Sequence, residues 1–72
     1  MPSSPEVLDV VALLVDVPEY RLVKGQVGTV VESLSSYHVE VEFVDEQGKT
    51  YAQLPLHINQ LMTLHYHPVA AA

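Results

Sequence analysis

Apolar and polar positions alternate most cleanly over residues 37–44, where Tyr37, Val39, Val41 and Phe43 project one way and His38, Glu40 and Glu42 the other. A period of two is the mark of a strand with one buried face. A one-residue slip would bury Glu40 and Glu42, so the register of this strand is strongly specified. Residues 26–34 form a second, β-branched run, and Ser35-Ser36 makes the tight connection between the two. Gly28 inside the second run suits a bulge, or a bend where strands approach closely. Asp45-Glu46-Gln47-Gly48 reads as a hairpin loop with Gly48 at positive φ. Residues 49–56 follow as a strand ended by Pro55. A helical turn at 57–59 then leads into a last strand over 60–64.

The chain before Gly25 is less regular. Residues 7–15 are apolar except for Asp9 and rich in Val, which favours a strand buried on both faces. Residues 16–24 carry Pro18, Tyr20 and charges without a period, so they read as a long loop. Together these elements predict an all-β fold, a small SH3-like five-stranded antiparallel barrel with one short helical turn before the last strand. Gly25, Gly28 and Gly48 sit where so small a sheet must bend. The expected core is Val11, Leu13, Val27, Val30, Val39, Val41, Phe43, Leu54, Ile58 and Leu61. The domain spans 7–65, between a flexible arm (1–6) and a flexible tail (66–72).

With 72 residues there is room for one domain. No cysteine is present, which removes disulfides, thiolate metal sites and cysteine nucleophiles and fits a cytoplasmic protein. The start of the chain lacks the basic and apolar regions of a signal peptide, and residues 7–15 are too short to span a bilayer. Nine acidic residues against three basic ones give a formal net charge of −6. Arg21, Lys24 and Lys49 are too few to neutralise nucleic-acid phosphates. The same balance disfavours anionic membranes; it either serves solubility or offers an acidic face to a basic protein partner, and no membrane insertion is expected.

Candidate chemistry is sparse. His65 and His67, with His57, could begin a metal site, but zinc needs three or four ligands. Tyr20, Tyr37, Tyr51 and Tyr66 could line a cage for a methylated cation, although Tyr37 and Tyr51 fall in register with core positions and read as cross-strand packing. Glu40 and Glu42, with Glu32 beside them, form an acidic stripe on the outer face of one hairpin. Asp16, Glu19 and Tyr20 lie in the loop where peptide-binding SH3 domains carry acids and aromatics, but the Trp of a Pro-rich-ligand groove is missing. These six, Asp16, Glu19, Tyr20, Glu32, Glu40 and Glu42, are the expected protein-interaction residues. No nucleophile elbow, phosphate loop or facing carboxylate pair is present, so no enzyme activity and no cofactor is expected.

Leu8-Asp9-Val10-Val11-Ala12-Leu13, Asp16-Val17-Pro18-Glu19-Tyr20, Gly25-Gln26-Val27-Gly28-Thr29-Val30-Val31-Glu32, Val41-Glu42-Phe43-Val44-Asp45 and Gly48-Lys49-Thr50-Tyr51-Ala52 occur in this order. The pattern resembles a family of small bacterial proteins, frequent in cyanobacteria, classed as a domain of unknown function. The resemblance covers residues 7–65 and implies the SH3-like fold. Members occur beside toxin or nuclease genes, which implies an antitoxin-like role. Gly28-Thr29-Val30 and Val41-Glu42-Phe43 also resemble SH3-like accessory subunits of redox and photosynthetic complexes. The expected function is a non-catalytic protein-binding module. Its alternatives are such a structural subunit or a histidine-based metal- or ligand-binding domain, and exposed strand edges allow a homodimer.

Overall fold

A computed structural model of the protein, which describes residues 4–68, contains one five-stranded antiparallel sheet. Its strands are β1 (Val10–Leu13), β2 (Val27–Ser33), β3 (His38–Val44), β4 (Thr50–His57) and β5 (Leu61–Thr63). Their spatial order is β4-β3-β2-β1-β5, so β4 and β5 are the two edges. Two 3-10 turns complete the fold, Pro18–Tyr20 in the loop before β2 and Ile58–Gln60 between β4 and β5. The all-β class, the five antiparallel strands and the turn before the last strand are those implied by the sequence. No helix of the described residues is long and apolar enough to cross a membrane. The arm and tail expected at 1–6 and 66–72 fall partly outside the described residues.

The alternation in β3 sets the core. Val39, Val41 and Phe43 are buried, and opposite them on β4 stand Leu56, Leu54 and Ala52 in turn, all buried as well. Fully burying each large side chain contributes about 1.5–3 kcal/mol, so this ladder carries much of the fold. Val11 and Leu13 of β1, Val30 of β2 and Leu61 of β5 close over it. The described residues bury no polar or charged side chain.

The structure corrects several details. β1 is confined to Val10–Leu13: Val11, Ala12 and Leu13 are buried, but Leu14 and Val15 lie past its end and are exposed, Leu14 still donating to the Gln60 carbonyl. Val27 is not a core residue; it is 48% exposed. It pairs with Ala12, and in β2 the inward positions are Gly28 and Val30, so Val27 faces out. Ile58 is only partly buried, packed against the core from the 3-10 turn. Pro55 does not end β4, which continues to His57. The ladder bonds of β3 and β4 fall on the pairs that alternate with Glu40–Pro55, so the nitrogen of Pro55 faces the free edge, where no N–H is needed. The long loop also contributes to the core. Val17 and Leu22 exchange two backbone hydrogen bonds of 2.9 and 3.1 Å across the Pro18–Tyr20 turn, and both side chains are buried.

Gly28 marks a close approach, as expected, but not a bulge. A Cβ there would lie 2.7 Å from Val41 Cγ1, 2.9 Å from the Glu42 carbonyl oxygen and 3.0 Å from Phe43 Cδ2. The register shifts fall elsewhere, leaving Val31 as the extra residue of β2 and Tyr51 as the extra residue of β4. A backbone oxygen cannot move aside as a side chain can. Gly28→Ala is therefore expected to destabilise the fold by about 1–3 kcal/mol, measured by urea unfolding. Gly48 has open space around its missing Cβ but a φ of +81°. Gly48→Ala should accordingly cost only the left-handed backbone penalty, roughly 1 kcal/mol.

Candidate protein-interaction surface

The outward positions of β2 and β3 carry the acidic stripe. Glu32 and Glu40 are direct cross-strand partners, and Glu42, two residues along β3, stands opposite Thr29. The bulge at Val31 makes this pairing, because it shifts the register by one residue and brings Glu32 rather than Val31 opposite Glu40. On the other side, Gln53 Nε2 donates to Glu40 Oε2 at 3.3 Å, and Thr50 Oγ1 donates to Glu42 Oε2. Both partners are neutral, so they orient the carboxylates without neutralising them. Glu40 and Glu42 are half-buried, while Glu32 is exposed.

The loop residues sit on a separate element. Asp16 Oδ1 accepts from the Lys24 backbone N–H at 2.8 Å, and Gln26 Oε1 accepts from that of Val23 at 2.6 Å. Asp16 thus serves loop geometry, while Glu19 and Tyr20 stand exposed on the 3-10 turn. The loop rejoins the sheet at Val27, and Glu32 follows five residues further along the strand. At a rise of about 3.3 Å per residue, this puts the end of the loop roughly 17 Å along the strand from Glu32 but only about 7 Å from Thr29, the partner of Glu42.

The histidines are distributed otherwise than the sequence implied. His57 pairs across the strands with His38, their rings edge-on with centroids 5.1 Å apart. Tyr37 stacks on His57 at 6.0 Å from the other direction. His65 and His67 are exposed beyond β5. His57 Nδ1 accepts from the Asn59 backbone N–H at 3.1 Å, while Gln60 Oε1 accepts from the His57 backbone N–H at 2.9 Å. This reciprocal cap starts the second 3-10 turn. It leaves the neutral His57 ring with its proton on Nε2, the reverse of a metal ligand whose second nitrogen donates. Among the described residues, no group of three or more His, Cys, Asp or Glu side chains is placed to hold a metal ion.

The tyrosines do not converge either. Tyr37 is 62% exposed and precedes β3, so it leaves the core register assigned to it. Tyr51 is the extra residue of its bulge; its ring lies 6.3 Å from that of Phe43 and its hydroxyl accepts from Gln26 Nε2 at 3.1 Å. The turn cap has a direct test. Gln60→Ala should cost about 0.5–2 kcal/mol by urea unfolding, with the exchange of the His57 amide proton accelerated.

A family model described as a domain of unknown function (DUF4926) matches residues 7–63. No curated protein and no solved structure matches the chain. The family match runs from the turn before β1 to the last residue of β5 and so takes in every strand of the sheet. The chain belongs to this family of unknown function, DUF4926.

Proposed function

We propose that the protein is a non-catalytic, cytoplasmic protein-binding module that docks a basic protein through the Glu32, Glu40 and Glu42 face. The observation that carries this reading is the direct opposition of Glu32 and Glu40, with Glu42 on the same face and only neutral side chains bonded to it. Like charges directly opposite each other on a sheet weaken it. A Lys or Arg from a partner would relieve that repulsion while gaining a pre-oriented acceptor. Glu19 and Tyr20, exposed on the loop before β2, would add contacts for a partner broad enough to reach them. An antitoxin-like role is the case in which that partner is a nuclease-like toxin whose nucleic-acid surface is covered.

The test compares the tagged protein with its Glu32→Gln/Glu40→Gln/Glu42→Gln variant in pull-downs from its native cytoplasm, at moderate and at high salt. A stoichiometric basic partner is expected with the parent protein at moderate salt only, and absent from the variant. Equal retention by the variant, or recovery of the tagged protein alone, would overturn the reading. A stability measurement checks the physical premise. Glu40→Gln should leave the fold unchanged or stabilise it by about 0.2–1 kcal/mol, and added salt should stabilise the parent more than the variant.

A further inference from the structure

The two edges of the sheet are not equivalent. On β4 the groups turned to the free side belong to the positions that alternate with the ladder bonds, among them Gln53, Pro55 and His57. Pro55 has no N–H, and the N–H of His57 is taken by Gln60 Oε1. That edge is blunted in the way sheet proteins avoid adventitious pairing. β5 is three residues long and contains no proline; of its outward groups, the Leu61 N–H is taken by the Ile58 carbonyl. Leu64 donates to Val10 and Leu14 donates to the Gln60 carbonyl, so the bonded pairs between β1 and β5 are those at 60, 62 and 64. The alternating groups therefore face outward: the Leu61 carbonyl, both the N–H and the carbonyl of Thr63, and the N–H of His65. Among the described residues no hydrogen bond engages these four groups.

An open groove of about 950 Å³ runs along this edge. All five consecutive residues from Leu61 to His65 line it, together with Leu14, which bonds to Gln60 from the β1 side, so the groove wraps over the strand. Its walls add Leu14 and Ile58 as apolar surface, and Glu6 and Asp9 as acids, with no Lys or Arg among the lining residues. Asp9 is held in place, its Oδ2 accepting from the Glu6 backbone N–H at 2.8 Å.

We infer that the β5 edge is a strand-addition site that accepts an extended segment of a partner protein with alternating apolar and basic side chains. Thr63 would exchange both backbone bonds with one residue of that segment, flanked by single bonds at Leu61 and His65. The apolar side chains would enter against Leu14 and Ile58, and the basic ones would meet Glu6 and Asp9. A second copy of this chain is the poorer occupant, because it would bring its own net charge of −6 and its own Glu6 and Asp9 to the same groove. The site does not depend on the Glu32, Glu40 and Glu42 face, which lies on other strands.

The experiment titrates the full chain with an eight-residue peptide of alternating Val and Lys, followed by amide NMR. Two further peptides of the same sequence are N-methylated, one on each alternate set of amides. The largest shift changes are expected at Leu61, Thr63 and His65. Methylating the set that faces β5 should weaken binding about tenfold or more, since the two hydrogen bonds accepted by the Leu61 and Thr63 carbonyls are lost. Methylating the other set should change it little. Thr63→Pro, which deletes an N–H that β1 does not use, should weaken the unmodified peptide similarly. Equal weakening by both methylated peptides, shifts centred away from β5, pairing of β5 with a second copy, or no binding at millimolar peptide would each overturn the inference. The Glu32→Gln/Glu40→Gln/Glu42→Gln variant separates the two sites: its shift pattern at β5 should match that of the parent even if its pull-down partner is lost.

Discussion

At Gly28 the second strand has no side chain, and Val41 Cγ1 and Phe43 Cδ2 occupy the space that one would fill. β2 is the middle strand of the sheet, bonded to β1 on one side and β3 on the other. A methyl group at this position would push β3 away along the stretch where Val41 and Phe43 enter the core. It would loosen the β3–β4 ladder behind them as well, because Leu54 and Ala52 are their partners there. The same register fixes the outer face. With Val30 opposite Val41, the bulge at Val31 must bring Glu32 opposite Glu40. The interior contact and the exposed carboxylate pair are thus two consequences of one pairing.

The parts of the fold legible in the sequence are those where a single period governs a whole strand. In β3 the alternation of Val39, Val41 and Phe43 with Glu40 and Glu42 leaves no other register, and the outward stripe follows with it. What escaped was set by one-residue events that no period records. Counting back from Val44–Thr50 without a bulge would put His38 opposite Leu56; the extra residue Tyr51 puts it opposite His57 instead. The pairing of those imidazoles was therefore invisible, and the nearby tail histidines drew attention in its place. Val27 was misplaced for a related reason, since it looks like an inward strand residue until Gly28 is seen to hold that role. The buried pair Val17 and Leu22 had a readable signal, two apolar residues flanking Pro18-Glu19-Tyr20, but the charges around them hid it.

Size confines chemistry to the surface. A chain of this length buries only about 60% of the surface exposed on unfolding, and here the buried share is wholly apolar among the described residues. Polar groups of the folded protein are spent on turns and caps: Asp16 on Lys24, Asp45 on Gln47 and Lys49, Gln60 on His57. The carboxylates of Glu40 and Glu42 each accept one cross-strand bond from a neutral side chain but keep their charge. The remaining outward backbone groups of β5 have no partner among the described residues.

These two leftovers differ in what they can recognise. The carboxylates act through charge, which reaches about 8–10 Å in physiological salt and sets association rate more than selectivity. The β5 edge acts through backbone hydrogen bonds, which need an extended strand in one register and are indifferent to its charge. Pro55 and the Gln60 cap remove two donors from the opposite edge, so β5 is the less protected side of the sheet. A partner using both features would be drawn in by the acidic surface and then positioned by Thr63.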